Sequence, residues 1–500
     1  MSKIYLKKGR GESLQRFHPW VFSGAIGNVV GDVAEGDVVS VWSSEGELLG
    51  CGHYQVGSIA VRMLSFSSEY LPSDYWVKSL ESAYKARVAF GLVDNPQTNC
   101  YRLVHGEGEY LPGLIIDYYD GVCVLQAHSV GMFRAKRQIC EALREVYGDS
   151  LKAVYDKSSG TAPFKAGLNL VDGYIYKAEG FDENELVVLE NGNKFWVNWN
   201  EGQKTGFFLD QRENRARVGA YARGRNVLNL FCYTGGFSIY ALNGGAKSVE
   251  SVDSSAKAMS LVDRNVALNG FENHVSHTAD AIEFLSKAPK DKFDMIIVDP
   301  PAFAKHRGAL KNALRAYQRL NAAAISKVAP GGIVFTFSCS QVVDKEAFAL
   351  AVFSAAASTG RKVRIIDRLN QPADHSVTIF HPEGEYLKGL MLYVEESERV
   401  DTHFYEVYEG LRINLYLQAS FSCAYVDVVV EERALVYEGR EWLFHSYRRA
   451  SSANVSRGGK QVLYVEHLAV LVTGDFSRHL KVHFHIAWDY AHELLSLVTA

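Results

Sequence analysis

A chain of 500 residues exceeds what one hydrophobic core usually serves and corresponds to about three domains. Its 47% apolar and 22% charged residues, with 42 Gly and only 11 Pro, exclude a collagenous, low-complexity or wholly disordered protein. The net charge of −4 is unevenly spread: residues 401–500 hold 9 Lys and Arg against 12 Asp and Glu, whereas Lys3, Lys7, Lys8, Arg10 and Arg16 face only Glu12 in the first twenty residues. Such a basic leading edge can bind nucleic acid as a patch on an otherwise near-neutral chain.

Seven scattered cysteines with no Cys-x-x-Cys pair write neither a disulfide framework nor a zinc knuckle, so a reducing, cytoplasmic setting is expected. MSKIYLKKGR has no apolar stretch behind it, and no run approaches the roughly 18 apolar residues of a membrane span. Neither export nor a membrane partner is expected.

In chain order, HPWVFSGAI, VAEGDVVSVWSSEGELLGCGHYQ and SIAVRML alternate Val, Ile and Trp with turn residues. This predicts a small β-barrel or sandwich over 1–70, with a hairpin turn at Ser43–Gly46. A helical pattern from about Tyr75 to Leu92, strands in YRLVHGEGEYLPGLIIDYYDGVCVLQAHS and a helix near 133–147 make 71–195 an α+β region. From residue 224, RNVLNLF, KSVESVD, HVSHTAD, FDMIIVDPP and GGIVFTFSCS alternate with helical stretches, which predicts a parallel, doubly wound α/β sheet over 196–395. Residues 396–500 fit neither texture. A half-buried strand or helix pair is expected there, and His483 and His485 in KVHFHIA lack a metal motif, so no metal ligands are expected.

Ligands of such sheets bind beyond the carboxyl ends of strands, so strand-end residues are the functional candidates. Asn229-Leu-Phe-Cys-Tyr-Thr-Gly-Gly-Phe237 enters a helix through Gly235 and Gly236, where backbone can approach a nucleoside closely; it is not the dinucleotide G-x-G-x-x-G. Asp253 ends the next strand and can accept hydrogen bonds from ribose hydroxyls. Asp280 ends the third, where it can either receive an adenine amino group or cap the helix beginning at Ala281. Asp299, stiffened by Pro300 and Pro301, ends the fourth and can hold a base edge. Cys339 ends the fifth, before a helical pattern with Ser340 as a plausible cap, a position that favours thiolate.

RFHPWVFSGAI, EGQKTGFFLDQRENR, VLNLFCYTGGFSIYA, VDPPAFAK, FTFSCS and PEGEYLKGL together resemble one family, over roughly residues 1–395. It is that of the PUA-domain-containing class I S-adenosylmethionine-dependent 23S rRNA cytosine-5 methyltransferases. The resemblance implies a PUA module for RNA contact, a central α+β domain and a Rossmann-like methyltransferase domain. It implies S-adenosylmethionine as cofactor, with Lys204, Thr205, Phe231, Tyr233, Thr234, Gly235, Gly236, Asp253, Ser254 and Asp280 as its candidate contacts. Cys339 falls where the family keeps its nucleophile and Asp299 where it keeps the carboxylate facing the target base. The implied partner is 23S rRNA or a large-subunit assembly intermediate, with a homodimer as candidate assembly. Lys7, Lys8, Arg10, Arg16, Lys305, Arg307, Arg315 and Arg319 are the candidate RNA contacts. The chain departs from the family at Asp374-His375-Ser376, where Asp-His-Pro is frequent, and in residues 396–500, which have no counterpart.

Cytosine C5 is too poor a nucleophile to attack a sulfonium methyl unaided. The expected chemistry adds the Cys339 thiolate to C6 while Asp299 holds the N3/N4 edge. The alternatives are amino-group methylation at an Asp-Pro-Pro turn without a thiol, and a noncatalytic RNA-binding or ribosome-assembly factor.

Overall fold

The structure is a computed structural model that describes residues 1–397 except Phe164, Lys165 and Lys305, together with five strands beyond residue 429. The chain divides into two units, Met1–Glu398 and Arg399–Ala500. In the second, Val430–Tyr437 pairs antiparallel with Arg440–Tyr447, which pairs antiparallel with Ala469–Thr473. The segment holding His483 and His485 lies outside the described residues. Among the described residues no helix is long and apolar enough to cross a membrane.

The first unit begins with a six-stranded sheet made by Lys3–Leu6, Trp20–Phe22, Ile26–Val30, Val38–Trp42, Leu48–Tyr54 and Ile59–Ser65. The expected hairpin is present: the Ser43 hydroxyl accepts from the Glu45 and Glu47 amides, and Gly46 takes the left-handed conformation that the turn needs. Ile4, Leu6, Val21, Val39, Val41, Val61 and Met63 form a small core of their own. This sheet docks on the next domain at Gly131, where a Cβ would lie 2.1 Å from the His53 ring.

The central sheet runs Gly173–Lys177, Ala153–Asp156, Val122–Ala127, Leu114–Tyr119, Cys100–His105. Val122–Ala127 is buried along its whole length because it has cores on both faces: Cys123 and Leu125 pack with helices Tyr75–Ala89 and Val130–Tyr147, Val122 and Val124 with the catalytic domain. The latter helix is capped by the Ser129 hydroxyl, 3.3 Å from the Met132 amide.

The catalytic sheet has the order His274–Thr278, Ser248–Asp253, Asn226–Leu230, Phe293–Val298, Val328–Ser338, Lys388–Ser397, Arg361–Asn370. The expectation of a wholly parallel sheet is corrected here, because Lys388–Ser397 runs antiparallel to both neighbours. A parallel return needs a crossover long enough for a helix, and residues 371–387 contain only the short turn Pro382–Gly384. Asn226–Leu230 pairs on one side with the second strand and on the other with the fourth, which makes its end the topological switch point.

The expected boundary at 195/196 falls within the strand Asn193–Asn198, which forms a hairpin with Glu185–Glu190. That hairpin packs on both neighbours: Val188, Phe195, Val197 and Trp199 share one core with Val122 and Val124 and with Val227, Ile239 and Phe335, and the Lys194 and Trp196 amides donate to Asn269 and Asn265. Its strongest tie is the buried pair between Glu190 and Arg215, with Nε and Nη2 at 2.8 and 2.7 Å from the carboxylate. The Tyr240 hydroxyl donates to the same carboxylate at 3.0 Å. Glu190→Ala should therefore leave Arg215 charged and unpaired in the core, at a cost of about 3–5 kcal/mol. A lower midpoint of urea unfolding checks this, and an unchanged midpoint contradicts it.

Candidate active site

Two strand ends carry the candidate catalytic residues. Phe293–Val298 and Val328–Ser338 are neighbouring parallel strands, paired through Val298 and Thr336, and Asp299 and Cys339 follow their last residues. They are close enough for the Asp299 charge to act on Cys339. Burial, then the nearby Asp210 charge, pushes the Asp299 carboxyl up to about 7. Burial, then Asp299, pushes the Cys339 thiol up to about 11.

Cys339 does not sit at a helix end, which corrects the expectation based on Ser340. The following helix is Lys345–Thr359, capped by the Asp344 side chain at 2.7 Å from the Ala347 amide. Ser340 is buried, and its hydroxyl contacts the Tyr317 hydroxyl at 3.1 Å and the Ala304 amide at 3.4 Å. A thiol separated from the helix by this short loop gains no stabilisation from a helix dipole. The loop is held instead by Lys388, whose ammonium donates to the Ser340 carbonyl at 2.7 Å and to the Val343 carbonyl. Burial brings that ammonium down to about 8.

Residues 203–215 build the wall opposite this pair. The Gln211 amide donates to Asp299 Oδ2 at 3.1 Å, and Gln211 Oε1 accepts from Asn214 at 2.6 Å. Asp210 is buried, with Oδ2 2.6 Å from the Tyr386 hydroxyl and 3.4 Å from Lys204 Nζ. Burial acts to raise its pKa, but the Lys204 and His375 charges and the Tyr386 hydrogen bond outweigh it and hold the carboxyl well below its usual range. Its Oδ1 is buried without a hydrogen-bond partner. A cavity of about 510 Å³ opens beside Lys204 and Tyr386, lined from the central sheet by Arg102, Gln126, His128 and Lys157.

The remaining candidates surround the end of Asn226–Leu230. Phe231 and Tyr233 both have positive φ, at 56° and 47°, an unusual backbone for aromatic residues that lets the loop turn tightly into Gly235. Gly235 has φ 80° and precedes the helix Gly236–Asn243. The Tyr233 amide donates to Asp253 Oδ2 at 3.0 Å and the Ser255 amide to Oδ1 at 2.9 Å, leaving lone pairs on both oxygens for a diol. The Tyr233 hydroxyl accepts from the Gln203 amide at 2.8 Å and ties this loop to the wall. Ser254 is exposed beside Asp253, and the Thr234 carbonyl accepts from Asn265 at 2.9 Å. A carboxylate oriented by two backbone amides at a strand end fits the ribose of S-adenosylmethionine.

One cofactor candidate is otherwise engaged. Thr205 is fully buried, its hydroxyl 2.6 Å from Asp117 and 2.9 Å from the Tyr119 hydroxyl, so it joins domains and presents no group to a ligand. Asp280 caps the helix Ala281–Lys287 through Oδ1, 3.0 and 2.8 Å from the Ile282 and Glu283 amides, and its Oδ2 is left to accept from an adenine amino group. Of the candidate RNA contacts, Lys7, Lys8, Arg10, Arg16, Arg307, Arg315 and Arg319 are exposed, with Lys7 Nζ 3.0 Å from the Gly24 carbonyl. Lys305 lies outside the described residues. Sequence reasoning missed Asp210, Gln211 and Lys388, all within quoted motifs; charged and amide side chains amid apolar neighbours were the available signal.

A family model described as S-adenosylmethionine-dependent methyltransferase matches residues 172–383, and one described as PUA-like domain matches residues 4–66. Among solved structures, a SAM-dependent methyltransferase from Streptococcus mutans is 24% identical with a TM-score of 0.67, covering 79% of this chain and 100% of that one. A methyltransferase complexed with SAH has a TM-score of 0.68 at the same identity and coverage. The chain is 39% identical over 402 residues to ribosomal RNA large subunit methyltransferase I of Alteromonas mediterranea, covering 79% of this chain and all of that protein. It is equally identical over 399 residues to the protein of that name from Aeromonas hydrophila, covering 78% and 99%. With a PUA-like domain, an S-adenosylmethionine-dependent methyltransferase domain and full-length relatives of one kind, this chain belongs to the ribosomal RNA large subunit methyltransferase I family.

Proposed function

We propose that the chain methylates carbon 5 of a cytosine in 23S rRNA, free or in a large-subunit assembly intermediate, through a Cys339 adduct at C6. The observation that carries this reading is the placement of a thiol and a carboxyl at adjacent strand ends, with the thiol in the field of the carboxyl. A buried thiol pushed up to about 11 is protonated at neutral pH and needs an acceptor, and Asp299 is the neighbouring carboxyl that titrates near 7.

The proton then has a complete path. It passes from Cys339 Sγ to Asp299 as sulfur attacks C6, and the protonated Asp299 donates to N3, which neutralises the charge arriving on the ring. Gln211 holds the carboxyl in place through Oδ2. S-adenosylmethionine, when bound, supplies the methyl group at C5. A base or water takes the C5 proton as the thiolate departs from C6, S-adenosylhomocysteine leaves, and N3 returns its proton through Asp299 to the thiolate, which restores the aromatic ring and the proton-sharing pair. The target base must leave its stack to reach this crevice, which costs about a few kcal/mol. The exposed Lys8, Arg10, Arg16, Arg307 and Arg315 and the cavity beside Lys204 are the surfaces that offset that cost.

Cys339→Ala should bind S-adenosylmethionine by calorimetry as the unaltered protein does, yet form no 5-methylcytosine in 23S rRNA by mass spectrometry. RNA containing 5-fluorocytosine should trap a covalent adduct on the unaltered enzyme alone. Retained methylation by the variant, or methyl transfer to an amino group without an adduct, would sink the thiol route.

The pH dependence follows from the shared proton. Below about 7 the pair holds two protons and lacks the carboxylate that accepts from the thiol; above about 11 it holds none and lacks the N3 donor. Single-turnover methylation should rise as pH increases through about 7 and fall on approach to about 11. Asp299→Asn should slow the reaction and remove the lower limb; a rate that is flat from pH 6 to 8 in the unaltered enzyme contradicts this assignment.

A further inference from the structure

Two motif stretches meet in space at residues that the methyl-transfer chemistry leaves unused. His18, from RFHPWVFSGAI, and Glu383, from PEGEYLKGL, converge with His381 so that one ligand atom from each lies within 4.8 Å of the others. Glu383 Oε1 is 4.0 Å from His18 Nε2, and Oε2 is 3.8 Å from His381 Nε2. Among the described residues no other such group of three occurs.

His381 supplies an independent observation. It is 2% exposed, and neither ring nitrogen has a hydrogen-bond partner. A buried imidazole with both nitrogens unsatisfied is costly, and its nitrogens lie out of reach of RNA or any other bulky ligand. A small ligand that enters between the three side chains can satisfy it. The surroundings have the right sign for a cation: Glu383 contributes one carboxylate, and Glu107, held by Trp20 Nε1 at 2.8 Å, sends a second negative field to His381. Arg62 faces Glu107 from the adjoining sheet, so that second charge is partly balanced.

We infer that His18, His381 and Glu383 form a binding site for one borderline-soft divalent ion of the Zn²⁺ class. This inference does not depend on the methyl-transfer reading. Two imidazoles and a carboxylate suit Zn²⁺ or Co²⁺ and not Mg²⁺ or Ca²⁺, which demand oxygen. Bonds of about 2 Å around a tetrahedral ion place donor atoms about 3.3 Å apart, so the three groups close by less than the length of a bond. Glu383, half-exposed, has the freedom to do so. His18 accepts the Trp20 amide at Nδ1, 3.2 Å away, and coordination through Nε2 exchanges that contact for the metal bond. The ion joins the N-terminal domain to the loop 371–387, which also carries Tyr386 of the candidate site.

The test uses the full chain stripped with a chelator, then dialysed and titrated with Zn²⁺ alone, with metal content measured by mass spectrometry. The unaltered protein should retain one more equivalent than His18→Gln or His381→Gln, and should melt at a higher temperature with Zn²⁺ than without. Co²⁺ in place of Zn²⁺ should give visible ligand-field absorption and quench Trp20, whose ring lies 4.3 Å from that of His381. Glu383→Gln, at a half-exposed position that tolerates change, should weaken binding about tenfold or more even if the histidine variants fail to fold. Equal stoichiometry and affinity in the unaltered protein and Glu383→Gln would overturn the site, as would an unaltered protein that retains no Zn²⁺.

Discussion

The candidate site depends on buried ion pairs that lie on either side of the joint between the central and catalytic domains and are tied across it by hydrogen bonds. Arg102 grips Asp117 at 2.8 and 2.9 Å, Arg212 grips Asp374 at 3.0 and 2.7 Å, and Arg215 grips Glu190. The first pair also takes the Thr205 hydroxyl, and the second takes the Arg102 amide at 3.0 Å, so the pairs are linked and not isolated. Taking such charges out of water costs as much as their attraction returns, so their value is geometric: only one arrangement satisfies them all. The run from Lys204 to Arg215 is fixed by these contacts, and with it the Gln211 amide that holds Asp299.

This constraint sets the electrostatics of the crevice. With Asp210 kept ionised by Lys204 and Tyr386, Asp299 feels a neighbouring negative charge in a place where water is scarce, and its carboxyl holds a proton more readily than usual. Cys339 feels both carboxyls and has no helix end to oppose them. A thiol that stays protonated until a base arrives is protected from oxidation and metal capture, because only thiolate reacts.

The loop 371–387 is where the three domains converge. Asp374 closes the buried pair with Arg212, and the backbone carbonyl of the same residue accepts from Arg87 of the central domain at 2.8 Å. Ser376, at the position where Asp-His-Pro is frequent in the family, donates to Glu109, and a Cβ on Gly108 would lie 2.1 Å from the Ser376 carbonyl. Phe380 packs on Phe17 of the N-terminal sheet at 5.2 Å, and Tyr386 reaches Asp210. The N-terminal domain, with a core of its own, thus meets the catalytic domain through the same loop that borders the reactive pair.

What could be read directly was whatever repeats or punctuates locally. The alternation of strands with helices, the Gly235–Gly236 turn, the carboxylates at strand ends and the turn at Ser43 follow from side-chain period and backbone freedom, and motif order supplied the family. Three matters needed the tertiary structure. The hairpin 185–198 reads like any other pair of strands, and only Arg215 and the shared core show what it packs against. Thr205 looks available in the sequence, yet packing had already engaged its hydroxyl. His18 and His381 stand 363 positions apart in the numbering, yet their ring centroids are 5.5 Å apart. The sequence alone determined which residue types end which strands, because period and turn chemistry act over a few residues. Burial and pairing decided the charge each of them carries, because both depend on neighbours that the chain brings in from far away.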